Sequence, residues 1–268
     1  MERITEIIPE ETKKLLKERS NIFYDTKLGF LKEHNGLRDG KLHLVLGTAS
    51  SGKSTLVRSL LKDVIENSME CGKVLVYLSE ESTQDFKIDF FRACNDLKLN
   101  EIVVKSELRI ENNFLNEMIN LIKKEKPNIF IFDNITTSLM YADKRPHEQY
   151  ELVKALKAEC EQLKIPFVLI AHTNAETTEN SNRLINMNDV RGSKSIVNLV
   201  EFLYILQRFK IRENYYPTIR IVKHRGYNVT NNLYYLVFNP EKFCYTETRN
   251  ICFEEFKEAY YLRDKLTK

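Results

Sequence analysis

The sequence predicts an α/β domain: a mainly parallel sheet flanked by helices, with an antiparallel extension toward the C-terminus. Three observations lead there. Short apolar runs alternate with amphipathic stretches through most of the chain, a glycine-bounded loop joins the first run to the first such stretch, and the last part turns to strand-like segments with short polar gaps. A chain of 268 residues with 43% hydrophobic content can fill one large core, and no linker, internal repeat or low-complexity block divides it.

The elements follow in order. Pro9 to Arg19 has Pro in its first turn, then Glu10 and Glu11, and Lys13, Lys14, Lys17 and Arg19 toward its end, a charge order that complements a helix dipole. Its apolar stripe (Ile8, Leu15, Leu16) is narrow, so two readings stay open: a helix lying on its own domain, or an arm docking on a neighbouring subunit. Residues 1–27 are therefore set apart as an N-terminal helical arm, 28–250 as the main domain and 251–268 as a C-terminal helical tail. Leu42, Leu44, Val45 and Leu46 form a buried strand, and Leu56, Leu60, Leu61 and Val64 mark one face of a helix. Next come a strand at Lys73 to Leu78, a helix near Thr83 to Leu97, the short EIVVK, and a helix near Asn113 to Lys124. NIFIFD, a helix near Glu148 to Leu163 and PFVLIA complete the alternation, which argues βαβ units. VEFLYIL, TIRIVKHR and LYYLVF read as strands of the antiparallel extension.

Several classes are excluded early. The longest uncharged apolar runs fall far below the roughly 18 residues of a membrane helix, and MERITEIIPE lacks the order of a signal peptide. A soluble chain acting in the cytoplasm, its own or a phage host's, is expected. Cys71, Cys94, Cys160, Cys244 and Cys252 are scattered and odd in number, so free thiols in a reducing compartment are the plain reading. Net charge is only +3, so any nucleic-acid site must be a local patch.

The chemistry starts at the first loop. Gly47, Thr48, Ala49, Ser50, Ser51, Gly52, Lys53 and Ser54 fit G-x-x-x-x-G-K-[ST] between a strand and a helix, the P-loop pattern in its required context. Backbone N–H groups of the loop, including that of Thr55, point at a phosphate chain; Lys53 reaches the β- and γ-phosphates and the Ser54 hydroxyl ligates Mg²⁺. ATP or another NTP is the expected ligand. Asp133 ends a buried strand, where a carboxylate holds the metal or its waters. In YLSEES, Glu80 and Glu81 end the second strand; alternation lets only one face the site, and Glu80 is chosen to activate water, leaving Glu81 as a solvated charge. Lys223 and Arg225 are two apart in VKHRG and project from one strand face, a fork of cations suited to a γ-phosphate.

With LSEES after the second strand, the chain resembles the RecA-like hexameric replicative DNA helicases, the DnaB family. It is most similar to the phage primase-helicase and mitochondrial Twinkle group. The likeness spans Leu28 to Thr246 and rests on LGFLKEHNGLRDGKLHLVLG, FIFDNIT, VLIAHTNA, MNDVRGSKSIVNLVEFLYILQR and IRIVKHRGYN. It implies a RecA-like P-loop NTPase core and a homo-hexamer translocating on single-stranded DNA. His172 would sense the γ-phosphate, Lys223 and Arg225 would act in trans on the neighbour's nucleotide, and Arg208 with Phe238 would sandwich the base. The long polar span Thr173 to Ser195 ends in Arg191, Gly192, Ser193, Lys194 and Ser195. In the family this loop lines the ring's channel and holds the phosphate backbone of one strand. A second channel loop between Asn134 and Pro146 includes Lys144 and Arg145.

GYNVTNN, after Arg225, departs from the family's glycine pattern. With neither a primase domain nor a helical collar ahead of the motor, assembly is expected to rest on the motor interface and the arm, and a separate primase or loader protein is an expected partner. Two rivals stand beside the helicase: a recombinase or clock-protein relative whose nucleotide state governs assembly, and an NTP-gated replication loader or scaffold.

Overall fold

The computed structural model describes residues 26, 28–32, 36–67, 73–94, 102–106, 114–174, 184–211, 214–225, 229 and 232–252. The proposed arm helix over 9–19, the tail beyond 252 and most of GYNVTNN lie outside the described residues. In chain order the elements are α1 (Gly29–Lys32), β1 (Leu42–Gly47), α2 (Lys53–Asn67), β2 (Val74–Leu78), α3 (Thr83–Cys94) and β3 (Ile102–Ser106). They continue with α4 (Phe114–Glu125), β4 (Ile129–Asp133), α5 (Pro146–Leu163), β5 (Phe167–His172) and α6 (Ile196–Leu199). The last four are β6 (Phe202–Ile211), β7 (Asn214–His224), β8 (Asn232–Asn239) and β9 (Cys244–Cys252).

One nine-stranded sheet runs β3-β2-β4-β5-β1-β6-β7-β8-β9. Strands β1 to β6 pair in parallel, and β7, β8 and β9 add on as an antiparallel meander. The predicted fold class therefore holds, with one correction: VEFLYIL, expected in the antiparallel extension, pairs in parallel with β1 as part of β6, and the strand direction reverses only at β7. Every residue of β1, β2 and β4 is buried, which explains their unbroken apolar runs: helices cover both faces. Alternation divides those runs between two cores. Val45, Val76 and Ile131 pack with Leu56 and Leu60 of α2 and Phe86 and Phe90 of α3. Leu44, Leu46 and Phe132 pack on the other side with Met118 of α4 and Val153 and Leu156 of α5. Fully burying each such side chain contributes about 1.5–3 kcal/mol.

Element boundaries moved for local reasons. Helix α5 starts at Pro146, two residues before the expected Glu148, because proline suits the first helical position and the Glu148 carboxylate accepts the Arg145 N–H at 2.8 Å. It ends where Lys164 turns left-handed, φ 55°. Helix α3 is described as far as Cys94, with 95–97 outside the described residues. Strand β9 was not foreseen, and its last residues, Ile251 and Cys252, were assigned to a helical tail. The correction follows from pairing: β8 and β9 pair from Asn232↔Cys252 to Asn239↔Cys244, with one register shift between Val237 and Phe238, so the segment is the sheet's edge strand.

Cys94, Cys160 and Cys244 are free and buried, as the plain reading of the thiols expects. Among the described residues no helix is long and apolar enough to cross a membrane.

Candidate active site

The loop after β1 sits in the middle of the sheet, between β5 and β6. Gly47 ends the strand, and a Cβ there would fall 2.8 Å from the Leu206 carbonyl and 2.6 Å from Ser51 Oγ, so only glycine lets the loop leave so close to β6. The turn then uses positive φ at Ser50 (58°) and Gly52 (94°) before α2 begins at Lys53. Strand, tight loop and helix N-terminus thus aim backbone N–H groups and the helix dipole at one point.

A cleft of about 470 Å³ opens over that point. Its inner half is lined by Lys53, Ser54, Glu80, Asp133 and His172, brought together from the ends of four strands; its outer half is Arg208, Tyr215, Pro217, Phe238 and Tyr245. Lys53 is 6% exposed, and its Nζ donates to the Thr48 carbonyl at 2.5 Å and lies 3.0 Å from His172 Nδ1. Burial pushes this ammonium down to about 8, opposed by Asp133 and Glu80. His172 Nε2 lies 3.0 Å from Glu80 Oε1. A protonated Lys53 can only donate, so Nδ1 accepts and the Nε2–H donates to the carboxylate. Lysine, imidazole and carboxylate form one chain of hydrogen bonds.

Glu80 is the glutamate that faces the cleft. Its hydrogen bond from His172 holds the carboxyl below its usual range, and Thr137 adds a second. Glu81 points away and is no solvated charge: it lies 3.5 Å from the buried Arg58, and burial raises its pKa. The segment after Asp133 braces both neighbouring strand ends. Ser79 Oγ contacts the Asn134 carbonyl and Thr137 Oγ1, each at 2.7 Å, and the His172 N–H donates to Thr136 Oγ1 at 2.9 Å.

Asp133 is 5% exposed and level with Leu78 of β2. Burial raises its pKa, and a hydrogen bond from Ser54 is the main opposing influence. This pair fits Mg²⁺. A hydroxyl and a carboxylate already in contact are hard oxygen donors, and a buried carboxylate disfavoured in its ionised form gains from a cation. Among the described residues no cluster of three His, Cys, Asp or Glu forms an all-protein cage, and Mg²⁺ at phosphates takes only one or two protein ligands.

Arg208 and Phe238 both line the cleft. Arg208 donates to the Ser50 carbonyl at 2.9 Å and lies over the Tyr215 ring at 4.6 Å. Phe238 is 42% exposed and meets Tyr245 edge-on at 6.0 Å. Tyr215, Pro217 and Tyr245 were missed; they come from β7 and β9, and only the hairpin partners of Arg208 and Phe238 could have hinted at them.

Lys223 and Arg225 do not reach this cleft. Lys223 pairs with Leu203, which is level with Leu44, so it sits about 10 Å back along the sheet from Gly47 and two strands across. Its Nζ donates to the Val197 carbonyl at 2.6 Å, and Arg225 lies 3.7 Å from the buried Glu201. As expected they share a direction, since both approach the Asn198 carbonyl.

The loop of Arg191 to Ser195 is wired to the cleft. Arg191 N–H donates to the His172 carbonyl at 2.9 Å, and Val190 bridges Thr173. Arg191, Lys194 and Ser195 are exposed. Ser193 departs from its expected role: it is buried and its N–H donates to Gln149 Oε1 at 2.7 Å, so it braces the loop. Gly192, at φ 88°, has room for no Cβ, with Gln149 and Tyr141 atoms 2.7–2.8 Å from where one would stand. Residues 175–183 lie outside the described residues.

A family model described as "AAA domain" matches residues 33–178. That span takes in Lys53, Glu80, Asp133 and His172 and stops before Arg191. No curated protein matches the chain.

Proposed function

The chain belongs to the AAA domain family of P-loop ATPases, which includes DnaB-like helicases, and from that membership we propose an ATP-driven DNA helicase motor of the replicative type. The observation that carries this reading is the continuity from nucleotide to loop. Lys53 touches His172, His172 touches Glu80, and the His172 carbonyl holds Arg191 at the start of an exposed basic loop.

A triphosphate entering the cleft draws Lys53 away from His172 and breaks the contact at Nδ1, so the presence of the phosphates is felt at the end of β5. Glu80, kept ionised, orients water and accepts its proton. Ser54 and Asp133 would hold Mg²⁺, which would supply neutralisation of the phosphate charge. Any displacement of the end of β5 is passed through the backbone to Arg191 and Lys194, which suit the phosphates of single-stranded DNA. Lys223 and Arg225 lie too far from their own cleft and serve a neighbouring copy, so the assembly is a homo-oligomer, with a hexamer favoured by the family likeness.

The test is hydrolysis of ATP with and without single-stranded DNA, alongside strand displacement on a forked duplex. DNA-stimulated turnover with displacement is expected. Turnover indifferent to DNA and without displacement would remove the helicase and leave the ATPase.

A further inference from the structure

We infer that Arg58 is a positioning residue for Glu80, acting through the adjacent Glu81 as a buried counter-charge that fixes the turn between β2 and α3. The inference deepens the ATPase reading and rests on it.

Arg58 lies one helical turn beyond Ser54 on α2, so both face the same side of the helix. It is 7% exposed, and one nitrogen, Nη1, approaches both Glu81 Oε1 at 3.5 Å and Asp89 Oδ2 at 3.6 Å. The P-loop helix is thereby tied to the residue next to the proposed base and to α3. Strand β2 has ended at Leu78; the Ser79 N–H still donates to the Asp133 carbonyl of β4 at 2.9 Å, but the path from there to Ser82 lies beyond the sheet. It is held by contacts: the Glu81 carbonyl accepts from Ser106 Oγ at 3.2 Å, and Ser82 Oγ accepts the Asp85 N–H at 3.0 Å. Glu80 and Glu81 are consecutive in one short bend, so holding Glu81 on Arg58 restricts where the Glu80 backbone can stand and keeps its carboxylate within reach of His172.

The charge arrangement says what fails without Arg58. Glu81 is half-buried and repelled by Asp133, Asp89 and Asp85, with Arg58 the opposing charge. Remove the cation and Glu81 must move toward water or take up a proton; if it moves, it swings Glu80 with it. Arg58 is used as a charge and not as a fork: Nη1 makes both contacts, and Nε finds no hydrogen-bond partner among the described residues. Lysine should therefore replace it in large part, which a bidentate arginine would not allow.

The experiment compares wild type, Arg58→Met, Arg58→Lys, Glu81→Gln and the Arg58→Met/Glu81→Gln double variant, measuring kcat, binding of a fluorescent ATP analogue and thermal unfolding. Arg58→Met is expected to lower kcat roughly 10- to 100-fold, the scale of a misplaced catalytic group, with analogue affinity within about threefold. Arg58→Lys should recover most of the rate, and Glu81→Gln should restore much of the loss in the Arg58→Met background. If Arg58→Met fails to fold, Arg58→Lys and Glu81→Gln still decide: a lysine variant that unfolds like wild type yet turns over as poorly as a dead site overturns the inference. So do independent effects in the double variant, or unchanged kcat in Arg58→Met. A wild type that binds the analogue but never hydrolyses ATP overturns the ATPase reading and this one together, whereas an active wild type with an equally active Arg58→Met overturns this one alone.

Discussion

Lys53 is almost wholly removed from water, and its titration near pH 8 is a functional quantity. A triphosphate beside it pulls its pKa back up, so binding above about pH 8 takes up a proton and affinity falls by up to about tenfold per pH unit. The nucleotide-free fold shows the opposite sign. Between about 8 and the unfolded value of 10.5 the unfolded chain holds a proton that the folded one lacks, so folding stability from this group rises with pH across that window. Calorimetric binding at pH 7, 8 and 9, beside urea unfolding at the same values, checks both trends. Gly52→Ala tests the loop: its Cβ would stand 2.3 Å from Tyr245 Oη at a φ of 94°. A loss of about 1–3 kcal/mol in urea unfolding is expected, partly relieved when Tyr245→Phe is added. Lys53, Ser54 and Asp133 were legible because their motif is short and local. Alternation allowed only one of Glu80 and Glu81 to face the cleft without saying which, and the His172 contact agrees with the choice of Glu80. The true place of Glu81 was not legible, since its partner Arg58 lies 23 positions away on a helix whose apolar pattern says nothing about a buried cation.

Strand β9 shows how an element can be hidden. Its residues alternate polar and apolar only loosely, because an edge strand has one neighbour and little need for apolar side chains. It nevertheless delivers Tyr245 to the cleft, fixing it by an N–H donated to Ser59 Oγ of α2 at 2.7 Å. Ser59→Ala leaves that buried N–H without its acceptor; a cost of about 1–3 kcal/mol and weaker binding of ATP analogues are expected, measured by thermal unfolding and fluorescence titration. The parallel strands were easier to read. Burial on both faces forces runs such as IFIFD, and few other arrangements accommodate them.

At the level of the whole molecule, the cleft opens at the C-terminal ends of the parallel strands, while Lys223 and Arg225 gather around Glu201 near their beginnings. If that pair acts on a neighbour's nucleotide, Lys53→Ala and Arg225→Ala chains, each inactive alone, should regain ATPase activity when mixed. In equal mixtures about a quarter of the interfaces join an intact cleft to an intact pair, so up to about a quarter of the wild-type rate is expected. Recovery of nothing would place the pair's work elsewhere. The placement also has an architectural consequence. A subunit with its socket on one side and its plug on another joins its like in a single direction, and such contact does not stop at two. On that proposal the tilt between successive copies would decide whether the series bites its own tail or spirals on without end, and one surface would both complete the chemistry and set the census of the assembly.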